Sequence, residues 1–253
     1  MLSAISGANR RIEHENRLMN LRTYSSYLLR KLLFYTPLKR FLFPRYYSSF
    51  SPHQLCILVQ LLEESLNVRG TILEIGCYIG STTIFLNKHL QYKQIQRTYY
   101  ALDTFSGFTK RDIDFEVTVR NKNRGELDEC LFNLNSLTWF KYTLALNNIR
   151  NVIPIKSDIL QYNLESLNQK FAFVLIDVVF YSPVKSALNK VWPLMNPGGI
   201  IIVDDCLPNA LFDGAHLAYS EFIESQKLLP EIVGDKMGII RVKQKADDIK
   251  RTK

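Results

Sequence analysis

Ile72-Leu73-Glu74-Ile75-Gly76-Cys77-Tyr78-Ile79-Gly80-Ser81-Thr82-Thr83 is the stretch that decides the fold of this chain. An apolar run carries an acid near its end. A glycine follows, a second glycine comes four residues later, and small hydroxyl residues then open a helix. A strand that turns sharply into a helix needs glycine for the turn and for close backbone approach to a ligand. The helix start leaves N–H groups unpaired, which favours an anionic group such as a carboxylate or phosphate. The spacing Gly76-x-x-x-Gly80 departs from the G-x-G-x-x-G fingerprint of dinucleotide sites. On this segment alone, an ordinary strand-to-helix turn with two convenient glycines would read the same way.

Outward from this turn, strands and helices alternate. Upstream, Ser51-Pro52 suits the N-cap and first position of a helix running to about Leu66. Downstream, residues 98–102 read as a second strand ending at Asp103, and residues 104–135 as a long polar insert. Residues 136–147 look helical. Residues 152–156 form a short strand closing near Asp158, and the apolar run 171–176 ends at Asp177. Such continuous runs suit parallel strands buried on both faces. A helix is expected over about 183–194, a turn at Asn196-Pro197-Gly198-Gly199, a strand over 200–203 ending at Asp204-Asp205, and a helix over 214–226. A hairpin around Gly234-Asp235-Lys236 closes the domain. This order predicts an α/β, Rossmann-like doubly wound sheet. Ligands of such sheets sit beyond the carboxyl ends of the strands, where Glu74, Asp103, Asp158, Asp177, Asp204 and Asp205 all fall.

Composition restricts the function classes. The 253 residues, 47% of them hydrophobic, suit one large domain with a decorated end. Three segments are expected: a basic, amphipathic helical extension over 1–50, a catalytic domain over 51–243 and a charged tail over 244–253. The net charge of +8 sits at the ends, +7 in residues 1–50 and +4 in residues 241–253, leaving the middle acidic. That argues against a nucleic-acid groove across the site. The Leu-, Tyr- and Phe-rich stretch 18–43, broken at Pro37 and Pro44, could cap the domain, pair with a second subunit or lie on a membrane surface. Cys56, Cys77, Cys130 and Cys206 form no C-x-x-C pair, so neither a disulfide framework nor a zinc site is expected, and a reducing, cytoplasmic setting fits. No apolar run reaches the roughly 18–20 residues of a membrane span, and the start lacks the pattern of a secretory leader.

With Glu74 two residues before Gly76, the loop has the look of a class I S-adenosylmethionine (SAM) loop, in which the acid can face an amino group and the turn a carboxylate. Gly76, Gly80 and Ser81 would form that turn. Asp103 could accept from both ribose hydroxyls, or cap the turn that follows it. Asp158 could accept from the adenine amino group or serve as an N-cap. Asp177, Asp204 and Asp205 should converge from adjacent strand ends. Three carboxylates in one pocket repel unless a cation lies between them, and hard oxygen donors suit Mg²⁺. Alternatively, the aspartate pair caps its own loop and Asp177 binds water. His216 could be a second base or a surface residue, and Tyr181 could line an acceptor pocket or simply pack. The insert could act as a lid. Its Arg111, Arg120, Lys122 and Arg124 could meet an acidic acceptor or remain solvated.

The glycine loop, Leu102-Asp103-Thr104-Phe105-Ser106-Gly107-Phe108, Ile176-Asp177 with Tyr181, and Pro197-Gly198-Gly199-Ile200-Ile201-Ile202-Val203-Asp204-Asp205 together resemble the macrocin O-methyltransferase family. Gly214-Ala215 through Glu221-Phe222 and Asp235-Lys236-Met237-Gly238-Ile239-Ile240 are similar to its C-terminal segments. The resemblance covers about residues 50–243. It implies a strand order of 3-2-1-4-5-7-6 with an antiparallel last strand, SAM as methyl donor, and a sugar hydroxyl on a small molecule as acceptor. It further implies Mg²⁺ held by Asp177, Asp204 and Asp205, with Asp177 as general base. The family often has a second Asp two residues after the first, where this chain has Val179. Two rival expectations stand beside it: a non-catalytic SAM-fold protein binding a membrane or partner through its basic N-terminus, and a nicotinamide dehydrogenase.

Overall fold

The computed structural model describes residues 49–129, 135–208 and 211–243, together with Ser25, Leu28, Leu29, Leu32, Leu33, Thr36 and Pro37. Residues 1–47 and 48–253 are two compact units. In the first, the backbone is helical at Ser25, Leu28, Leu29, Leu32 and Leu33. The remaining expectations for 1–48, and those for the tail 244–253, lie outside the described residues. No helix among the described residues is long and apolar enough to cross a membrane.

The second unit opens with α1 (Pro52–Ser65). Its start is the one expected: Ser51 and Gln54 exchange side-chain-to-backbone hydrogen bonds in a capping box, and Pro52 occupies the first turn. Then follow β1 (Thr71–Ile75), α2 (Ser81–Tyr92), β2 (Tyr99–Asp103), α3 (Lys110–Thr118), α4 (Arg124–Glu129) and α5 (Leu137–Leu146). The chain continues through β3 (Val152–Lys156), β4 (Phe171–Ile176), α6 (Tyr181–Val191), β5 (Met195–Val203), α7 (Gly214–Ser225), β6 (Ile232–Val233) and β7 (Met237–Arg241). The seven strands lie in the order β3-β2-β1-β4-β5-β7-β6. The pairs from β3 to β5 are parallel, and β7 runs antiparallel to both its neighbours.

The apolar strands still alternate sides. Leu73, Ile75, Val174, Ile176, Ile201 and Val203 join one core with α6 and α7. Ile72, Phe173, Leu175, Ile200 and Ile202 join the other with α1, α2 and α5. Burial on both faces is why β4 reads as one unbroken run.

Two details differ from the expectation. The insert is not plain loop: α3 and α4 lie within it. And Asn196-Pro197-Gly198-Gly199 is not a free turn but a bulged part of β5, because the register jumps from Phe171↔Met195 to Phe173↔Ile200.

The register aligns the acids. Ile75 pairs with Leu102 and with Ile176, and Ile176 pairs with Val203. The ladder then runs one step further. Asp177 N–H donates to Ile75 C=O (2.8 Å) and Asp204 N–H to Ile176 C=O (2.9 Å). Asp103, Asp177 and Asp204 therefore stand in a row along the carboxyl edge of the sheet.

Candidate active site

The glycines are sterically required. Gly76 has φ +86°, and a Cβ there would lie 2.0 Å from the Asp177 carbonyl oxygen. The glycine loop and the first of the clustered acids are thus in backbone contact. Gly80, at φ +90°, is the N-cap of α2 and carries no capping side chain, so the N–H groups of Ser81 and its neighbours have no side-chain partner there. Non-glycine residues also take positive φ at this edge: Tyr78 after β1, Phe105 after β2, Val179 after β4 and Asp205 after β5. Each such residue stores roughly 1–3 kcal/mol, and strain of this kind gathers at functional sites.

Asp103 is a hub. Its Oδ2 accepts from the Cys77 and Tyr78 N–H groups, both at 2.9 Å. Its Oδ1 accepts from Phe105 N–H (2.7 Å) and from the Asn135 amide (2.8 Å). The turn cap set out from sequence is present, and the same carboxylate fastens the glycine loop to β2. In this arrangement each of its two oxygens accepts from two protein donors.

Glu74 is buried. Its Oε2 accepts from Thr83 Oγ1 (2.5 Å) and Tyr99 OH (2.7 Å), which ties β1 to α2 and β2. Burial pushes its carboxyl up to about 7 against those two hydrogen bonds. Both of these bonds fall on Oε2. Asp158 caps a turn rather than a helix: Oδ1 accepts from Leu160 N–H, and Oδ2 pairs with Arg111, both at 2.9 Å.

Asp177, Asp204 and Asp205 do converge, each offering an oxygen within 4.8 Å of the others. The group includes no histidine, and His216 is half-buried in the first turn of α7. Asp204 is only 2% exposed, and its Oδ1 is buried without a hydrogen-bond partner. Asp177 and Asp205 are half-buried. Burial, then the Asp204 and Asp205 charges, push the Asp177 carboxyl well above the usual range. Burial and Asp205 push Asp204 up to about 7. An orphaned carboxylate oxygen among three hard oxygen donors fits a divalent cation.

One participant was not foreseen. The Lys236 ammonium donates to Asp204 Oδ2 (2.6 Å) and Asp205 Oδ1 (2.9 Å). Burial works against its charge, but the two aspartates outweigh that and raise its pKa.

The insert is docked through buried charge. Glu116, 1% exposed, accepts from Tyr181 N–H (2.9 Å) and from Arg120 (2.7 Å). Arg120 and Lys122 both pair with Asp213. Arg111 pairs with Asp112 and Asp158, and Arg124 with Asp114. All four cations noted in the insert are thus engaged within the protein. Tyr181 is held by Glu221 through its hydroxyl and stacks on Phe115. Val179 joins Ile113, Leu127 and Phe180 in an apolar cluster, with Phe108 and Phe212 against it. Where the resembling family often has a second acid, this chain places a plug for the insert.

Comparison with known proteins follows from this geometry. A methyltransferase domain family matches residues 73–206. The mycinamicin III 3''-O-methyltransferase of Micromonospora griseorubida is 26% identical over 180 residues, 68% of each chain. A tetracenomycin-C-type rhamnosyl 4'-O-methyltransferase of Streptomyces olivaceus is 24% identical over 168 residues, 64% of this chain and 62% of that one. The O-methyltransferase NovP shares the fold with a TM-score of 0.68 at 18% identity, covering 79% of this chain and 84% of NovP. The calicheamicin methyltransferase CalS11 does so with a TM-score of 0.59 at 19% identity, covering 87% and 91%. The family match spans more than half of the chain and includes the glycine loop, Asp103, Asp177 and both aspartates after β5, and the protein belongs to the methyltransferase domain family.

Proposed function

We propose that the protein is a SAM-dependent O-methyltransferase acting on a hydroxyl of a sugar or glycosylated small molecule, with a divalent cation, Mg²⁺ by donor type, at Asp177, Asp204 and Asp205. The observation that carries this reading is the contact of the glycine loop with Asp177, beside two further acids of which one has a buried, unpartnered oxygen. Family membership supports SAM as the donor and sets aside the nicotinamide reading. The two curated relatives are named for 3''-O- and 4'-O-methylation, the second on a rhamnosyl group, and this supports a sugar hydroxyl as acceptor. The narrower likeness to the macrocin enzymes rests on the motifs quoted above.

In this reading Gly76 and Gly80 let the backbone approach the donor, and the uncapped start of α2 receives its carboxylate. Asp103 acts by fastening the loop. Asp177, reachable from the carboxyl edge, takes the proton from the acceptor hydroxyl, so that the oxygen can attack the sulfonium methyl in line. A bound dication would keep the three carboxylates ionised and acidify a coordinated hydroxyl. Val179, in the apolar cluster with Phe180, lies two residues after Asp177 in the chain.

The test has two parts. Calorimetry should show SAM and its demethylated product binding, and NAD failing to bind. Methyl-labelled SAM, offered with a panel of glycosylated polyketides and sugar nucleotides, should then label a sugar hydroxyl. Labelling of a nitrogen or a carbon instead would refute the O-methyl assignment.

A further inference from the structure

Lys236 stands in an unusual position for a residue beside a cation site. Its backbone is fixed from two sides. Cys206 N–H donates to its carbonyl (2.7 Å), joining its turn to the loop that carries Asp204 and Asp205. Gln54 of α1 donates to the Gly234 carbonyl (2.7 Å) at the start of the same turn. The side chain is then guided over the Phe50 ring, with Nζ 5.1 Å from its centroid. Only 16% of that side chain is exposed. The ammonium is therefore held in place by the fold rather than reaching in from solvent.

It also takes specific oxygens. It bridges Asp204 Oδ2 and Asp205 Oδ1 and leaves Asp204 Oδ1 without a partner. Two of the three clustered acids thus already have a cation. A dication arriving at Asp204 Oδ1 and Asp177 meets a fixed positive charge bonded to the other oxygen of Asp204 and to Asp205. At these separations, with the groups largely shielded from water, that repulsion is not screened away.

We propose that Lys236 is a tethered counter-ion that keeps Asp204 and Asp205 assembled without metal and sets the affinity of the site for a divalent cation low. The cation is then exchangeable rather than permanently resident. This rests on the reading of Asp177, Asp204 and Asp205 as a cation site, but it concerns a residue outside that set.

The experiment compares full-length wild type, Lys236→Met and Lys236→Arg. Mn²⁺ affinity is measured by titration followed by electron paramagnetic resonance, and melting is followed with Mn²⁺ or with EDTA. No acceptor is needed. Lys236→Met should bind Mn²⁺ at least tenfold more tightly than wild type. It should melt lower than wild type in EDTA and gain more from Mn²⁺. Lys236→Arg, which keeps the charge, should bind as weakly as wild type. If Lys236→Met does not fold, Lys236→Gln removes the charge while keeping a donor and serves in its place. Equal Mn²⁺ affinity in wild type and the neutral variant would overturn the proposal and leave the cation site standing. Absence of Mn²⁺ binding in every variant would overturn the cation site and the proposal with it.

Discussion

Asp103, at the end of β2, grips the backbone of Tyr78 across the top of β1, with Oδ2 2.9 Å from the Tyr78 amide nitrogen. Tyr78 is one of the strained residues of the edge, at φ +47°. The carboxylate supplies part of what holds it there. The same oxygen also takes the Cys77 N–H.

Asp103→Ala should therefore damage the loop before it damages any ligand contact. Hydrogen bonds to a charged group contribute about 1.5–3 kcal/mol each. Even after relaxation, a loss of about 3 kcal/mol would lower Tm by roughly 6–12 °C in a domain of this size. SAM affinity should fall on the order of tenfold or more. Melting and calorimetry on the same variant separate the readings: a SAM loss with unchanged Tm would restore direct ribose binding as the main role.

Gly76→Ala tests the contact between loop and base. The added methyl would sit 2.0 Å from the Asp177 carbonyl oxygen, which is backbone and cannot swing away. Positive φ adds strain for any L side chain. The expected result is loss of SAM binding together with a Tm fall larger than that of Asp103→Ala. Gly125→Ala, in the insert at negative φ and with only the Asn123 side chain near, should leave both unchanged.

Much of this architecture was legible because its signals are local. The 171–176 run, the Gly76-x-x-x-Gly80 turn and Ser51-Pro52 each carry their meaning within a few residues. The helices of the insert were less visible. α3 is dominated by Lys110, Arg111, Asp112, Asp114 and Glu116, and its buried residues mix Asp112 and Glu116 with a single buried apolar side chain, Ile113. Thr109, whose side chain caps Asp112 N–H, was the available clue. Lys236 gave no local sign at all. Its meeting with Asp204 depends on the antiparallel register of β7 on β5, which pairs Val203 with Gly238. The protein partners of Glu74 and Asp103 were hidden for a related reason: sequence places an acid at a strand end, but the donors around it come from other elements.

The acid cluster should make stability depend on pH in an unusual direction. Asp204 and Glu74 are raised to about 7 from 3.8 and 4.5, and Asp177 is raised as well, chiefly by burial. In that interval the folded protein holds protons that the unfolded chain has released. The contribution of these groups to the stability of the metal-free protein is therefore fully present at low pH and is lost as pH rises from about 4 through about 7. Glu63 and Glu221 shift the opposite way, held down by hydrogen bonds to Lys93 and to Tyr181, and their contribution is lost only as pH falls. Melting in EDTA should show Tm falling across this interval, and Asp204→Asn should flatten the fall. A Tm that climbs instead would contradict the burial of these groups.

Asp177→Asn brings the cluster and the chemistry together. The amide keeps the shape of the carboxyl but cannot carry its charge or accept a proton. In metal-free protein the change removes one of three mutually repelling acids, so Tm should stay level or rise. SAM affinity should change little, because the proposed function assigns the donor to the glycine loop and the start of α2 rather than to this side chain. Methyl transfer to an accepted sugar hydroxyl should fall by roughly 10²–10⁴, the usual contribution of a positioned general base. Mn²⁺ affinity should drop as well, since one of its three oxygen donors is replaced by a neutral one. Stability maintained while catalysis is lost is the signature of a residue retained for function at the expense of the fold. Equal losses of Tm, SAM binding and turnover would instead make Asp177 a structural acid and leave the proton of the acceptor without a base at this edge.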